Sequence, residues 1–351
     1  MKSFRHIAFV LAAAALAAGC TKTEVSAPER EITFSVGSRV AKTKAAVEIT
    51  EFESFKSKGY LHAEGVNDVQ DFFGASGETI TKTGSEWLPS HPYYWPKSES
   101  SYINFISWYD KNGAPNTVTE NTIEWSNRTI AQDDNILVAN KAWFQKANVQ
   151  NYFTSGVPTL FKHLLAQVAI QAKTTIDSET AGNVTTTWTV EVSDVTINNV
   201  RTSGSISLSN TTAPEDEQTL KITEWTGSWE TNATTANLAG PATATTLNAT
   251  SYTEILPWHA VLPQDVEDIY ISLSYEVTTE SENSATHSTH SVTETVEVPN
   301  LALNSFTGYA GNWDSNKRIT YSIQINPKTN IISVLPTVVA WETDNKEIIV
   351  E

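Results

Sequence analysis

Cysteine is nearly absent. Cys20 is the only one among 351 residues, so no internal disulfide can form and stability must come from packing. Positive charge is also scarce, with 23 Lys and Arg against 40 Asp and Glu. That balance argues against nucleic acid as a partner, because phosphate contacts draw on Lys and Arg. It argues equally against electrostatic docking on anionic lipid, and it gives the chain a soluble, self-repelling exterior. The N-terminal apolar run, Ile7–Ala18, has 12 residues, short of the roughly 20 needed to cross a bilayer. Glycine is sparse at 15 residues. There is no glycine-rich phosphate loop, no Gly-x-Ser-x-Gly and no His-Glu-x-x-His. No heptad pattern and no solenoid-spaced repeat occur. These absences lower the expectation of an enzyme and leave no cofactor or metal to expect.

What is present begins at the N-terminus. Lys2, Arg5 and His6 precede Ile7–Ala18, the charge-then-apolar order of a cleaved export signal. Leu16-Ala17-Ala18-Gly19-Cys20 approximates a bacterial lipobox, in which small residues fit the peptidase and the thiol of Cys20 accepts lipid. Residues 1–19 are therefore read as a lipoprotein signal peptide. Residues 20–44 form a lipid-anchored leader in which Glu31-Ile32-Thr33-Phe34-Ser35-Val36 alternates as a single strand. Arg39-Val40-Ala41-Lys42-Thr43-Lys44 follows as a basic, cleavable loop.

The rest alternates with period 2. Ile269, Ile271, Leu273, Tyr275 and Val277 share one strand face, as do Ile319, Tyr321, Ile323 and Ile325. Trp188, Val190 and Val192 alternate, and then the phase slips to Val195 and Ile197, which predicts a bulge or a strand end. One apolar face per strand indicates sheets packed face to face. The expected fold is all-β, with two tandem β-sandwich domains of transthyretin-like or Ig-like type. Asn151–Pro158 reads as a linker, giving an N-terminal sandwich over 45–155 and a C-terminal one over 156–351. A short helical insertion is expected over Asp133–Gln145, where Asp133 and Asp134 would favour a helix N-terminus.

Few residues invite chemistry. His287 and His290 are three apart, so on a strand they point to opposite faces, and no zinc-type ligand spacing surrounds them. His163, beside Phe161, reads as a packed structural histidine. Glu215-Asp216-Glu217 and Asp265–Asp268 lack the spacing of an EF-hand loop and read as charged turns. Tyr93-Tyr94-Trp95-Pro96 could stack on sugar rings, but it reads better as a core strand followed by Asn104, Phe105, Ile106, Trp108 and Tyr109.

An ordered series of segments resembles the fimbrillin family of Bacteroidia, in its minor-fimbrillin-like group. The series runs through Glu31–Ser38, Tyr93–Pro96 with Asn104-Phe105, Asp134–Ala139, Phe161–Ala166 and Leu262-Pro263-Gln264. It ends with Trp313 and Arg318–Tyr321, then Ile331 to Glu342. The resemblance implies a structural subunit of a type V fimbria, not an enzyme, exported as an outer-membrane lipoprotein and serving adhesion at the cell surface. An Arg-specific protease would cut after Arg39, because a cut at Arg30 would leave the strand attached. Loss of Ile32, Phe34 and Val36 would open a groove. A C-terminal donor strand from Ile331–Glu351 of the next subunit would fill it, with Ile331, Ser333, Leu335, Val339 and Trp341 on the donor. Partners would then be other fimbrial subunits and the protease, with membrane attachment through Cys20 before processing and no receptor identified. A tip or anchor protein that does not polymerise is one alternative. A surface carbohydrate-binding lipoprotein is another. A secreted hydrolase lacks any nameable acid–base pair.

Overall fold

A computed structural model describes residues 31–39, 45–47, 52–98, 100–145, 156–211, 221–306, 311–341 and 347–349. The signal peptide, Cys20, Lys42, Lys44, most of the expected linker and Glu215–Glu217 lie outside the described residues. Within them the chain is all-β, with a single 3-10 turn at Leu303–Ser305.

Seven strands of the N-terminal half close into a ring. In spatial order they are β7 (Tyr102–Asp110), β10 (Ile136–Ala139), β12 (Val157–His163), β1 (Phe34–Arg39), β6 (Glu86–Pro89), β5 (Glu78–Thr83) and β3 (Ser54–His62), which returns to β7. Five short strands extend this sheet: β2 (Ala45–Val47), β4 (Gln70–Asp71), β11 (Lys141–Gln145), β17 (Lys221–Thr223) and β28 (Glu347–Ile349). A closed ring leaves no edge between its members, and here it takes the place of the first expected sandwich. Its interior is aromatic, built from Phe34, Phe52, Phe55, Phe73, Trp87, Trp95, Phe105 and Phe161.

Two further sheets share a second apolar core. One is β21 (Thr253–Val261), β13 (Ala166–Thr174), β26 (Lys317–Asn326) and β27 (Ile331–Ala340). The other is β14 (Ser178–Ala181), β15 (Val184–Arg201), β23 (Tyr270–Asn283) and β24 (Ser288–Ala302), with β19 (Thr235–Ala239) and β20 (Thr245–Thr246) also on β15. Val168, Ile170, Val190, Ile271, Tyr275, Ile319 and Ile323 meet between them, as their alternation requires. The phase slip in β15 is a register shift between Val192 and Asp194. A two-stranded pair, β22 (Gln264–Asp265) with β25 (Asn312–Trp313), completes this half.

A small sheet lies outside the ring: β8 (Thr117–Val118), β9 (Thr122–Thr129), β16 (Ser203–Ser209) and β18 (Trp229–Thr231). A third core joins it to the outer face of the ring and to the C-terminal half. Ile106, Trp108, Ile136 and Val138 contribute from the ring, Trp125, Ile206 and Trp229 from the small sheet, and Leu262 and Trp341 from beyond. This double burial explains the one error in element type. Ile136–Ala139 is buried at every residue because one face meets the ring interior and the other meets the third core. Continuous apolarity does not distinguish such a strand from a helix. The expected helical insertion over Asp133–Gln145 is therefore two strands, β10 and β11. Asp134 caps no helix. Its carboxylate accepts the Ala131 amide at 2.8 Å and the Arg128 guanidinium at 3.2 Å, closing a turn.

Trp341 is the C-terminal pin of this arrangement. Its ring stacks on His163 at 4.0 Å and 7°, and its amide donates to Asn316 O at 3.0 Å. His163 is itself buried and its Nδ1 bonds Asn135 Oδ1 at 2.8 Å. Burial first, and the nearby Arg318 cation second, push the imidazole down to about 3 from an ordinary 6.5. The folded ring thus refuses a proton that the unfolded chain accepts. Its stabilising contribution should be complete above the unfolded value and lost progressively as pH falls toward the folded one. Urea unfolding between about pH 7 and about pH 4 should show stability falling, with His163 contributing up to about 1.4 kcal/mol per pH unit. His163→Gln should flatten that slope, and an unaltered slope in the variant would assign it to other groups.

Candidate functional site

The first strand is one wall of the ring and turns its apolar side chains inward, in keeping with its alternation. Ile32, Phe34 and Val36 point inward with exposures of 0%, 4% and 4%, while Thr33 and Ser35 are only half-buried. Phe34 makes edge-on contacts with Phe55 at 5.7 Å and Phe105 at 5.5 Å. Burying such a side chain contributes about 1.5–3 kcal/mol, so the three together hold the strand firmly.

The backbone completes the seat. β1 runs parallel to β12, pairing Phe34 with Val157 through to Ser38 with Phe161. The Val157 amide donates to Thr33 O and the Ile32 amide to Tyr93 O, each at 2.7 Å. On the other side only Phe34 pairs with β6, opposite Trp87. Glu78 steadies the loop that supplies the Tyr93 carbonyl. It accepts from Tyr93 Oη at 2.9 Å, from the Thr79 amide at 3.1 Å and from Ser90 Oγ. Burial alone would raise the Glu78 carboxyl, but these hydrogen bonds outweigh it and hold the group below the usual range. Without β1, the β12 flank would present unpaired N–H and C=O groups beside an apolar slot, the arrangement that accepts an added strand.

Arg39 is the last residue of β1 and pairs with Ala46 of β2. The basic loop between the two strands lies outside the described residues. The proposed donor residues are placed elsewhere. Ile331, Ser333, Leu335 and Val339 lie in β27, which pairs with β26 along its whole length. β27 is an edge strand, and Ile331, Leu335 and Val339 are 64%, 59% and 52% exposed on it. Trp341 is buried in the third core. The structure does not bring these five residues to Ile32, Phe34 and Val36. The chain beyond them does approach: β28 pairs antiparallel with β2, Ile348 opposite Ala46 and Ile349 opposite Ala45. That puts β28 one strand away from β1.

The other candidates fall into structural places. Trp95 is core and Tyr93 packs against it, leaving Tyr94 as the exposed ring of that segment, so no aromatic platform for a sugar forms there. His287 and His290 are exposed at the β23–β24 hairpin end, and no group of three metal-ligating side chains occurs among the described residues. Asp265 pairs with Arg201 at 3.3 Å.

One functional residue was not read from the sequence. Gly156 stands directly before β12 with φ +79°, and a Cβ there would lie 2.7 Å from the Phe34 carbonyl carbon. Its place in Thr154-Ser155-Gly156-Val157-Pro158 looks like a turn signal, whereas its role is to let β1 lie close. Gly156→Ala should cost about 1–3 kcal/mol, the range for a residue forced into a strained backbone region. A shift of the urea midpoint to lower concentration checks this, and an unshifted midpoint would mean the contact is not needed.

No curated protein matches the sequence. Among solved structures, a candidate cell-adhesion protein from Bacteroides uniformis is 14% identical, with 89% of this chain and 98% of that one aligned at a TM-score of 0.48. A fimbrial protein from Bacteroides vulgatus is 15% identical, with 89% and 100% aligned at 0.45. The fimbrial anchor protein Mfa2 from Porphyromonas gingivalis is 9% identical, with 89% and 98% aligned at 0.28. The family described as fimbrillin-like matches residues 42–341, most of the chain, and the protein therefore belongs to the fimbrillin-like family.

Proposed function

We propose that this chain is a subunit of a type V fimbria that polymerises by donor-strand exchange and serves adhesion. It is exported as an outer-membrane lipoprotein through Cys20 and clipped after Arg39 by an Arg-specific protease. The observation that carries this reading is the seat of β1. Three apolar side chains face the ring interior, while one flank is a continuous five-residue parallel ladder and the other is interrupted, with one pair to β6 at Phe34 and two to β2 at Ser38 and Arg39.

Covalent connection adds to the packing that keeps that strand in place. While the chain is intact, β1 is tethered at an effective concentration no free strand can match. A cut after Arg39 makes its return bimolecular, so that dilution disfavours rebinding and opens the slot to a replacement. The emptied slot has main-chain partners along β12 and pockets for alternate side chains, the mode of recognition in strand addition. Head-to-tail repetition of such a contact builds an open filament.

The donor lies within Ile331–Glu351. Ile331, Ser333, Leu335 and Val339 face outward from an edge strand, but freeing that strand would break its ladder to β26 and withdraw Trp341 from the core. Removing a buried Trp side chain costs about 3–5 kcal/mol. The moving part therefore begins after Trp341, with Ile348 and Val350 as its apolar side chains.

Purified full-length protein treated with an Arg-specific protease should give a product beginning at Val40. That product should form filaments visible by electron microscopy, alone or with partner subunits. An Arg39→Ala variant should stay uncut at this position and monomeric. A clipped product that remains monomeric with partner subunits present would overturn the proposal.

A further inference from the structure

Lys141 has no place in strand exchange, yet its surroundings are unusual. It opens β11 within Val138-Ala139-Asn140-Lys141-Ala142-Trp143 and is 0% exposed. Its Nζ donates to Asn121 Oδ1 at 2.8 Å and to Asn210 O at 3.2 Å, and it lies 4.4 Å from the centre of the Trp143 ring. Asn121 itself is an exposed residue in the turn between β8 and β9. That turn is fixed by Thr119 N donating to Thr122 O at 2.8 Å and by Asn210 N donating to Asn121 O at 2.9 Å.

The neighbouring Glu120 is also held. Its Oε1 bonds His62 Nε2 at 2.7 Å and accepts from Asn104 Nδ2. Asn104 Oδ1 and Trp143 Nε1, directly opposite each other across β7 and β11, are buried without a partner. Burial pushes the Lys141 ammonium down to about 8, with the Glu120 charge acting in the opposite direction. A usable share of neutral amine is therefore present near neutral pH.

We propose that Lys141 and Asn121 join in an intramolecular isopeptide bond. The neutral Nζ attacks Asn121 Cγ and a C–N bond forms. The bond from Cγ to Nδ2 breaks, and the proton given up by Nζ passes through the Glu120 carboxylate to the departing nitrogen, which leaves as ammonia. Amine and primary amide become secondary amide and ammonia, so no oxidant or other reactant is needed. Fixing the two groups in hydrogen-bond contact supplies the orientation on which such a reaction depends, and proton relay is ordinary general acid–base catalysis. The fully buried amine has no exit, while the exposed amide releases ammonia to water. The product would staple the sheet of β11 to the small sheet of β9, independently of whether the chain polymerises.

Tryptic digestion of the full-length protein tests this directly. The expected product is peptide 112–128 joined to peptide 129–146, lighter than their sum by one ammonia, with no cut after Lys141. Asn121→Ala, a change at an exposed position, should give the ordinary peptides and a normal cut after Lys141. Glu120→Gln should leave most chains unlinked. Wild-type protein that yields only unlinked peptides of full mass would overturn the proposal. So would loss of ammonia from peptide 112–128 alone with Lys141 still cleaved, which is cyclisation of Asn121. Complete linkage in Glu120→Gln would overturn the relay.

Discussion

The N-terminal half depends on one pairing, the parallel ladder between Phe34–Ser38 and Val157–Phe161. These strands are far apart in sequence, and the loop-closure entropy of bringing them together must be recovered from the contacts they make. The return comes from Ile32, Phe34 and Val36, which complete an otherwise open aromatic interior. Everything else in the ring is antiparallel, and much of it is local. β1 is thus the last piece by topology and the central one by packing. Gly156 is shaped to that need, because a side chain there would meet the β1 backbone.

Membership in the fimbrillin-like family supports a structural, fimbrial role at the cell surface, and the physical features agree with it. Stability rests on three apolar cores and not on disulfides. The third core, with Trp341 stacked on His163, ties the ring to the C-terminal half, so the last core residue among those described braces parts that are distant in sequence. Beyond it in sequence, β28 pairs with β2, beside the strand it is proposed to replace in a neighbour.

Much of this was legible in the amino-acid pattern. Alternation identified the faces of β15, β23 and β26, and the phase slip near Val192 marked a real change of register. Alternation also placed Ile32, Phe34 and Val36 inside. Two features were not legible, for different reasons. Ring closure depends on which strands pair, and period-2 patterning is blind to pairing partners. Ile136–Ala139 is buried on both faces, so it carries no alternation, and the acidic pair before it imitates a helix start. Lys141 in an apolar run was a signal of another kind, since a buried cation requires a partner, but nothing local pointed to Asn121.

The parallel orientation of β1 against β12 has a directional consequence. Parallel ladders space their hydrogen bonds evenly and on a slant, unlike the alternating narrow and wide pairs of antiparallel ladders. A flank shaped by a parallel neighbour therefore distinguishes the two ends of any strand laid along it. The same side chains entering in reverse would exchange these evenly spaced, slanted bonds for the alternating pairs of an antiparallel ladder, and so would meet the pockets in a different register. In the proposed exchange, an incoming strand that kept the orientation of β1 would have its polarity fixed along with its apolar side chains, and a row of molecules linked in this way would have every member facing the same way.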